Sequence, residues 1–249
     1  MGKLCYDDKL RSTHHELRFT EYALRNKDFF VQTHTHYVMT VMLNRLAVET
    51  QEAQRTEAKA DVVKELSIGP WRLPPVASRA MLVGSIIPDL LLILLTLGTV
   101  TSDWWHGRLG PPDSPAAAQS ATSYLFEYRF FHDPWVKLAH NLFHAPLLVT
   151  LYLLVGYWAW RRGWRWGPAL FWLAAAAALH TAIDIPIHVL DGPLIFFPFD
   201  WERRFQSTVS YWDPDYYGIP FTIAEHLIFF GLLIYLGVAW WRVRRQVDT

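Results

Sequence analysis

The chain has 249 residues, 52% hydrophobic and only 18% charged, where an ordinary soluble domain carries about 25% charged residues, so part of its exterior is expected to face lipid. Its 23 basic and 23 acidic side chains cancel to a net charge of zero, which gives no electrostatic ground for a nucleic-acid partner. The single cysteine, Cys5, excludes an intramolecular disulfide and a cysteine-built zinc site, leaving His, Asp and Glu as the polar metal ligands.

Residues 1–28 read as a charged leader without the apolar core of a secretory signal, so membrane insertion relies on internal segments. Residues 29–48 (FFVQTHTHYVMTVMLNRLAV) carry one charge, Arg45, and suit either a weak span or a helix lying at the surface. Residues 49–66 are polar and helix-favouring, a solvated helix whose end Gly69 and Pro70 mark. Four apolar runs come next. Residues 80–100 contain only Asp89 as a charge, 142–160 contain none, 167–183 contain none, and 221–241 contain only Glu225, beside His226. About 20 largely apolar residues cross a hydrocarbon core, so these runs predict four transmembrane helices, or five with residues 29–48. Trp104, Trp105, Trp135, Trp158, Trp160, Trp164, Trp166, Trp240 and Trp241 lie at or just beyond the run ends, where indoles favour the headgroup layer. The competing reading is a soluble protein with four buried core helices. Residues 111–121, rich in Pro, Ala and Ser, read as a flexible loop.

The fold expected is thus all-α, a polytopic membrane bundle with one embedded domain over residues 29–245. Arg161, Arg162 and Arg165, with Arg242, Arg244 and Arg245, mark the cytoplasmic ends. Residues 101–133 and 185–220 become outer loops, with nine acidic and four basic residues. A fifth span brings His36 to the outer layer but places the leader's six basic residues outside, against the same rule.

Ionisable residues inside spans are functional candidates. Asp133-Pro134 is a strong helix start, and it sets His140 and His144 four residues apart on one helical face. His180 and Asp184 share that spacing, and Pro186 limits their helix. If the helices on either side of the loop near residue 163 are antiparallel, His144 stands at the level of residue 183, so both pairs meet near the outer surface. Asp89 follows Pro88 at an expected kink and calls for a cation or a metal. A divalent ion such as zinc suits His140, His144, His180 and Asp184; the alternative is a satisfied polar network. Glu225 and His226 are candidates of the same depth, with a structural role as the competing reading. His106, His132 and His188 are either solvated or support the site, and His14 and His15 are read as solvated.

The ordered segments THTHYVMT, GSIIPDL, HNLFH, HTAID and DGPLIFFPF, over about residues 33–205, resemble a bacterial inner-membrane family of metal-dependent hydrolases. That family is also described as LexA-binding membrane-associated hydrolases and is distantly similar to zinc-dependent phospholipase C. The resemblance implies a multi-pass inner-membrane enzyme whose metal-associated positions are His36 (or His34), Asp89, His140, His144, His180 and Asp184. The family's paired-histidine motif, His-Arg-x-x-x-His-Ser, is here His140-Asn141-Leu142-Phe143-His144 followed by Ala145-Pro146. The resulting expectation is hydrolysis of an ester or phosphoester, with membrane lipid as partner or source of substrate, and with Asp184 or Glu225 as general base. The rivals are a non-catalytic scaffold or transporter with a structural polar cluster, and a haem-binding membrane protein.

Overall fold

The computed structural model describes residues 31–59, 65–110 and 114–247, so the leader, with Cys5, His14 and His15, lies outside the described residues. The chain is mostly helical. Helix α1 (Val31–Glu57) joins the two N-terminal segments into one element. Its polar half ends before the expected residue 66, where β1 (Leu66–Ile68) instead pairs antiparallel with β2 (Trp71–Leu73). Gly69, at φ +56°, takes the left-handed conformation of that turn, so the expected helix stop is a hairpin tip and the fold is not purely α. Two amide side chains of α1 hold the hairpin and the segment after it. Gln54 donates to the Ser67 carbonyl at 2.5 Å and accepts from its N–H at 3.0 Å, and Gln51 accepts from the Val76 N–H at 2.7 Å.

The apolar run at 80–100 is broken in two. Helix α2 (Ser78–Gly84) stops, and α3 (Ile87–Trp105) restarts with Pro88 in its first turn, where a missing N–H costs nothing. The span therefore shifts to Ile87–Trp105. At Gly84 α2 touches helix α6 (Gly167–Asp184) backbone to backbone: a Cβ there would stand 2.2 Å from the Leu173 carbonyl oxygen. The expected outer loop after α3 is largely helical. Buried Asp103 accepts from the Ser120 hydroxyl (2.7 Å), the Thr122 hydroxyl (2.8 Å) and the N–H groups of Ala121 (2.8 Å) and Thr122 (2.9 Å). A carboxylate at these free N–H groups starts a helical stretch from Ala121 that passes through a π turn at Leu125–Arg129 and ends at His132.

Asp133 caps α4 (Pro134–Asn141) by accepting from the Trp135 N–H at 2.8 Å, as the Asp-Pro pair predicts. Helix α5 (Pro146–Arg161) comes after a bend of 44°, because Pro146 cannot continue the ladder and takes the first turn of a new helix. Carbonyls freed at the break find new donors, Tyr152 Oη to Leu142 at 3.1 Å and Thr181 Oγ1 to His144 at 2.9 Å, as backbone groups buried in an irregular segment require. Helices α5 and α6 form a close antiparallel pair. Gly156 and Gly167 permit it, since a Cβ at either would fall 2.5 Å from the Phe171 nitrogen or 2.3 Å from the Trp160 nitrogen.

Residues 188–213 fold over the α4–α5 break, where fully buried Asn141 accepts from the Leu194 N–H at 2.7 Å. The last helix, α7 (Gly218–Val247), is largely exposed along its length, with Leu227, Ile228, Phe230 and Ile234 uncovered. Among the described residues, α3, α6 with the turn that extends it (Gly167–Ile187), and α7 over Gly218–Arg245 are long and apolar enough to cross a membrane. The bent pair α4–α5 qualifies only when taken together, and α1 does not qualify. Two separate apolar clusters form the core: Met81, Phe171, Trp172 and Ala176 with Leu66 in one, and Leu92, Leu125, Phe126, Phe130 and Val136 in the other.

Candidate metal centre

Four side chains converge where the helix breaks meet the end of α6. Asp89 comes from the first turn of α3, His144 from the α4–α5 break, and His180 and Asp184 from the last turns of α6. One ligand atom from each lies within 4.8 Å of all the others. His144 Nε2 is 2.8 Å and His180 Nε2 3.1 Å from Asp184 Oδ2, and His180 Nε2 is 3.4 Å from Asp89 Oδ2. Ligand atoms around a tetrahedral ion with bonds of ~2.1 Å stand ~3.4 Å apart, so the donor set fits a small divalent cation. The antiparallel depth arithmetic, which set His144 opposite residue 183, agrees with its contact to Asp184.

The chemistry of His180 favours an ion over a network of hydrogen bonds. A carbonyl can only accept, so the 2.9 Å contact of His180 Nδ1 with the Ser85 oxygen places a proton on Nδ1. Nε2 then faces two carboxylates, and despite those short distances it makes no well-directed hydrogen bond. A lone pair aimed at two anionic oxygens needs a cation between them, either a second proton or a metal, and the backbone contact at Nδ1 is the support a ligating imidazole commonly has. His144, His180 and Asp184 are buried and Asp89 is half-buried, so two carboxylate charges sit close together, one of them away from water, and a divalent ion would balance them.

The remaining site residues fall around this group. His36 contacts Asp184 Oδ1 through Nε2 at 2.9 Å and stacks on His180 at 4.1 Å, whereas the ring of His34 packs edge-on against Phe229 of α7. His36 is therefore the one of the two that reaches the centre. His140 Nε2 lies 3.2 Å from His144 Nδ1, which places it behind His144 and outside the four-atom set. The expected single helical face for His140 and His144 does not form, because α4 ends at Asn141 and His144 sits in the turn ahead of Pro146. Glu225 is buried on α7 and has no hydrogen bond or ion pair to the group, and His226 Nδ1 contacts the Thr222 carbonyl of its own helix at 2.8 Å. His106 and His132 contact carbonyls of their own helices and take no part.

The cavity beside the group, about 50 Å³, has room for a few water molecules. Asp89, His140, His144 and Asp184 line it with Thr33, whose hydroxyl donates to Asp89 at 2.6 Å, and with an apolar wall of Leu92, Ile93, Phe126 and Phe130. His188, Asp191 and Tyr211 complete the lining. His188 Nδ1 lies 3.1 Å from Asp191 Oδ1, and the Trp212 indole donates to Asp191 Oδ2 at 3.0 Å. Arg204 closes the same loop, donating to the Gly192 carbonyl and lying 4.9 Å over Phe130, while burial lowers its guanidinium pKa to about 10. Asp191 and Tyr211 were not singled out in the sequence. Both belong to an aperiodic stretch, where the DGPL segment and the ambiguous His188 are the available signals.

Burial, the largest single influence, opposes both charges of the His188–Asp191 pair, but the partner together with Asp184 and Asp89 for His188, and with the Trp212 and backbone hydrogen bonds for Asp191, holds His188 above its ordinary value and Asp191 below. The stabilisation from a raised His is complete below 6.5 and is lost as pH rises through the folded value. That from a lowered Asp is complete above 3.8 and is lost as pH falls. The difference in melting temperature between wild type and Asp191→Asn should therefore be widest between those two values and shrink toward alkaline pH. A difference independent of pH in detergent melts counts against the charged pair.

Comparison of the chain with protein-family profiles, with curated proteins and with solved structures finds no match.

Proposed function

We propose that the chain is a membrane-embedded, metal-dependent hydrolase of an ester or phosphoester, with zinc as the ion and α4–α5 as a fourth, bent span. The observation that carries this reading is the convergence of Asp89, His144, His180 and Asp184 on one point at the edge of a cavity. When bound there, a divalent ion supplies Lewis acidity and lowers the pKa of a coordinated water toward about 7. The chain's own residues do the rest. Ser85 orients His180, Thr33 fixes one oxygen of Asp89, and His36 braces the Asp184 oxygen that His144 and His180 leave free. A carboxylate oxygen of Asp184 or Asp89 takes the proton in this reading; Glu225, on another helix and with no hydrogen bond or ion pair to the group among the described residues, is the less direct base. The wall of Leu92, Ile93, Phe126 and Phe130 suits the apolar part of a lipid-derived substrate.

The resemblance to the inner-membrane hydrolases points the same way and suggests a multi-pass protein of the bacterial inner membrane, with its arginine-rich ends in the cytoplasm. A haem finds little support, since the imidazoles pack ring to ring within 5.1 Å with Asp184 among them and the cavity is far smaller than a macrocycle. The test is elemental analysis of protein purified in detergent without chelator, followed by hydrolysis assays on p-nitrophenyl phosphoesters and fluorogenic lipid esters. One to two divalent ions per chain, on the order expected for such a site, and turnover abolished by chelator are the expected results. Folded, metal-free and inactive protein would replace the enzyme with a scaffold or transporter built on a polar network, and a Soret band would favour the haem reading.

A further inference from the structure

We propose that His188, held by Asp191 and Trp212, is an oxyanion-binding residue of the same cavity, receiving the phosphate group of a phosphoester beside the metal-ligand set. The proposal rests on the metal reading but concerns residues outside the ligand set. His188 and Asp191 line the cavity shared by Asp89, His144 and Asp184, yet neither belongs to the four-atom group, so neither is needed to hold the ion.

Their arrangement is that of an imidazole beside a fixed carboxylate. Trp212 Nε1 occupies Asp191 Oδ2 at 3.0 Å, which fixes the carboxylate and leaves Oδ1 for His188 Nδ1 at 3.1 Å. Nδ1 is within ion-pair distance of that carboxylate but makes no well-directed hydrogen bond to it, so charge rather than a directed bond ties the ring to Asp191. Nε2 has no hydrogen-bond partner among the described residues, and it is not among the sealed, unsatisfied atoms. The backbone holds the ring in place. The His188 carbonyl accepts from the Ser207 N–H at 3.3 Å, Ile187 accepts from the Tyr211 N–H at 3.0 Å, and the Tyr211 ring lies 4.8 Å from the imidazole. Gly192 leaves no spare room, since a Cβ there would come within 3.1 Å of His188 Cβ.

A carboxylate behind an imidazole favours its doubly protonated form, whose free Nε2–H is a charge-assisted donor to an anionic oxygen. A phosphate next to a divalent ion carries such oxygens, and on a cavity wall that also holds Asp89, Asp184 and Asp191 it needs a cationic contact besides the ion. A pair that served only to pin residues 185–213 would not need to line the cavity beside the metal-ligand set, as both His188 and Asp191 do.

The test uses the full-length chain in detergent, loaded with zinc, and inorganic phosphate as the probe in titration calorimetry. Zinc content is read first. His188→Gln should keep wild-type zinc content and bind phosphate about tenfold or more weakly, the loss of one charge-assisted hydrogen bond. Asp191→Asn should fall between the two. Equal phosphate affinity in wild type and His188→Gln overturns the proposal. So does zinc-loaded wild type that binds no phosphate, or zinc lost together with phosphate, which would make His188 a ligand or a structural support. A wild type that binds no zinc overturns the metal reading itself, and this inference with it. If His188→Gln does not fold, the Nε2 resonance of His188 in nitrogen-15 spectra of the wild type decides: phosphate must shift it, and an unmoved signal overturns the proposal.

Discussion

Asp184→Asn protein, purified in detergent without chelator, is expected to hold almost no metal. Among the described residues Asp184 touches three imidazoles at once, His36 at 2.9 Å, His144 at 2.8 Å and His180 at 3.1 Å. The amide keeps the volume but removes the buried negative charge of the group and turns an NH₂ group toward rings that offer lone pairs to an ion. Loss of an outer partner of a metal site costs about 10–100-fold in affinity, so loss of this shared ligand should exceed about 100-fold. His36→Ala, which removes an outer contact and leaves the four-atom group intact, should fall in the smaller range. Elemental analysis and zinc titration of the two variants beside wild type make the comparison. Equal zinc in wild type and Asp184→Asn would turn the cluster into a hydrogen-bonded network.

Gly84→Val is expected to have the largest effect on stability. The new Cβ would meet Leu173 at 2.2 Å from its carbonyl oxygen, 2.8 Å from its carbon and 2.9 Å from its Cα, all backbone atoms that cannot rotate aside. Helix α2 must then move off α6, at a cost of about 3 kcal/mol or more, the upper range for overpacking a tight contact. The site suffers too, because the neighbouring Ser85 carbonyl orients His180 through its 2.9 Å contact. Melting temperature and zinc affinity should fall together. A variant that melts like wild type and loads zinc normally would mean that α2 and α6 do not touch at Gly84.

The apolar runs were legible because a bilayer dictates both length and composition, and three of the four recur as candidate spans with ends shifted by a few residues. What the sequence could not show is whether a proline kinks a helix or breaks it. That depends on whether the freed carbonyls find donors elsewhere, and for Ser85 and Leu142 the donors are His180 and Tyr152, pairings that the sequence around each proline does not reveal. The ligand residues were legible as ionisable groups at one depth. Their ranking was not, since two-residue spacing sends His34 and His36 to different faces of α1 and only the packing of α7 on His34 tells which one faces the centre. His188 and Asp191 lie in a stretch without periodicity, so their pairing is set by the loop's hydrogen bonds alone.

The two breaks share a further property. Adjacent residues of α6 mend both of them: His180 bonds the Ser85 carbonyl at the α2–α3 break, and Thr181 bonds the His144 carbonyl at the α4–α5 break. Neither interrupted helix has this partner until α6 is beside it. In a chain made from its N-terminus, the later helix therefore completes the two before it, and the architecture of the earlier segments is finished against the order of synthesis.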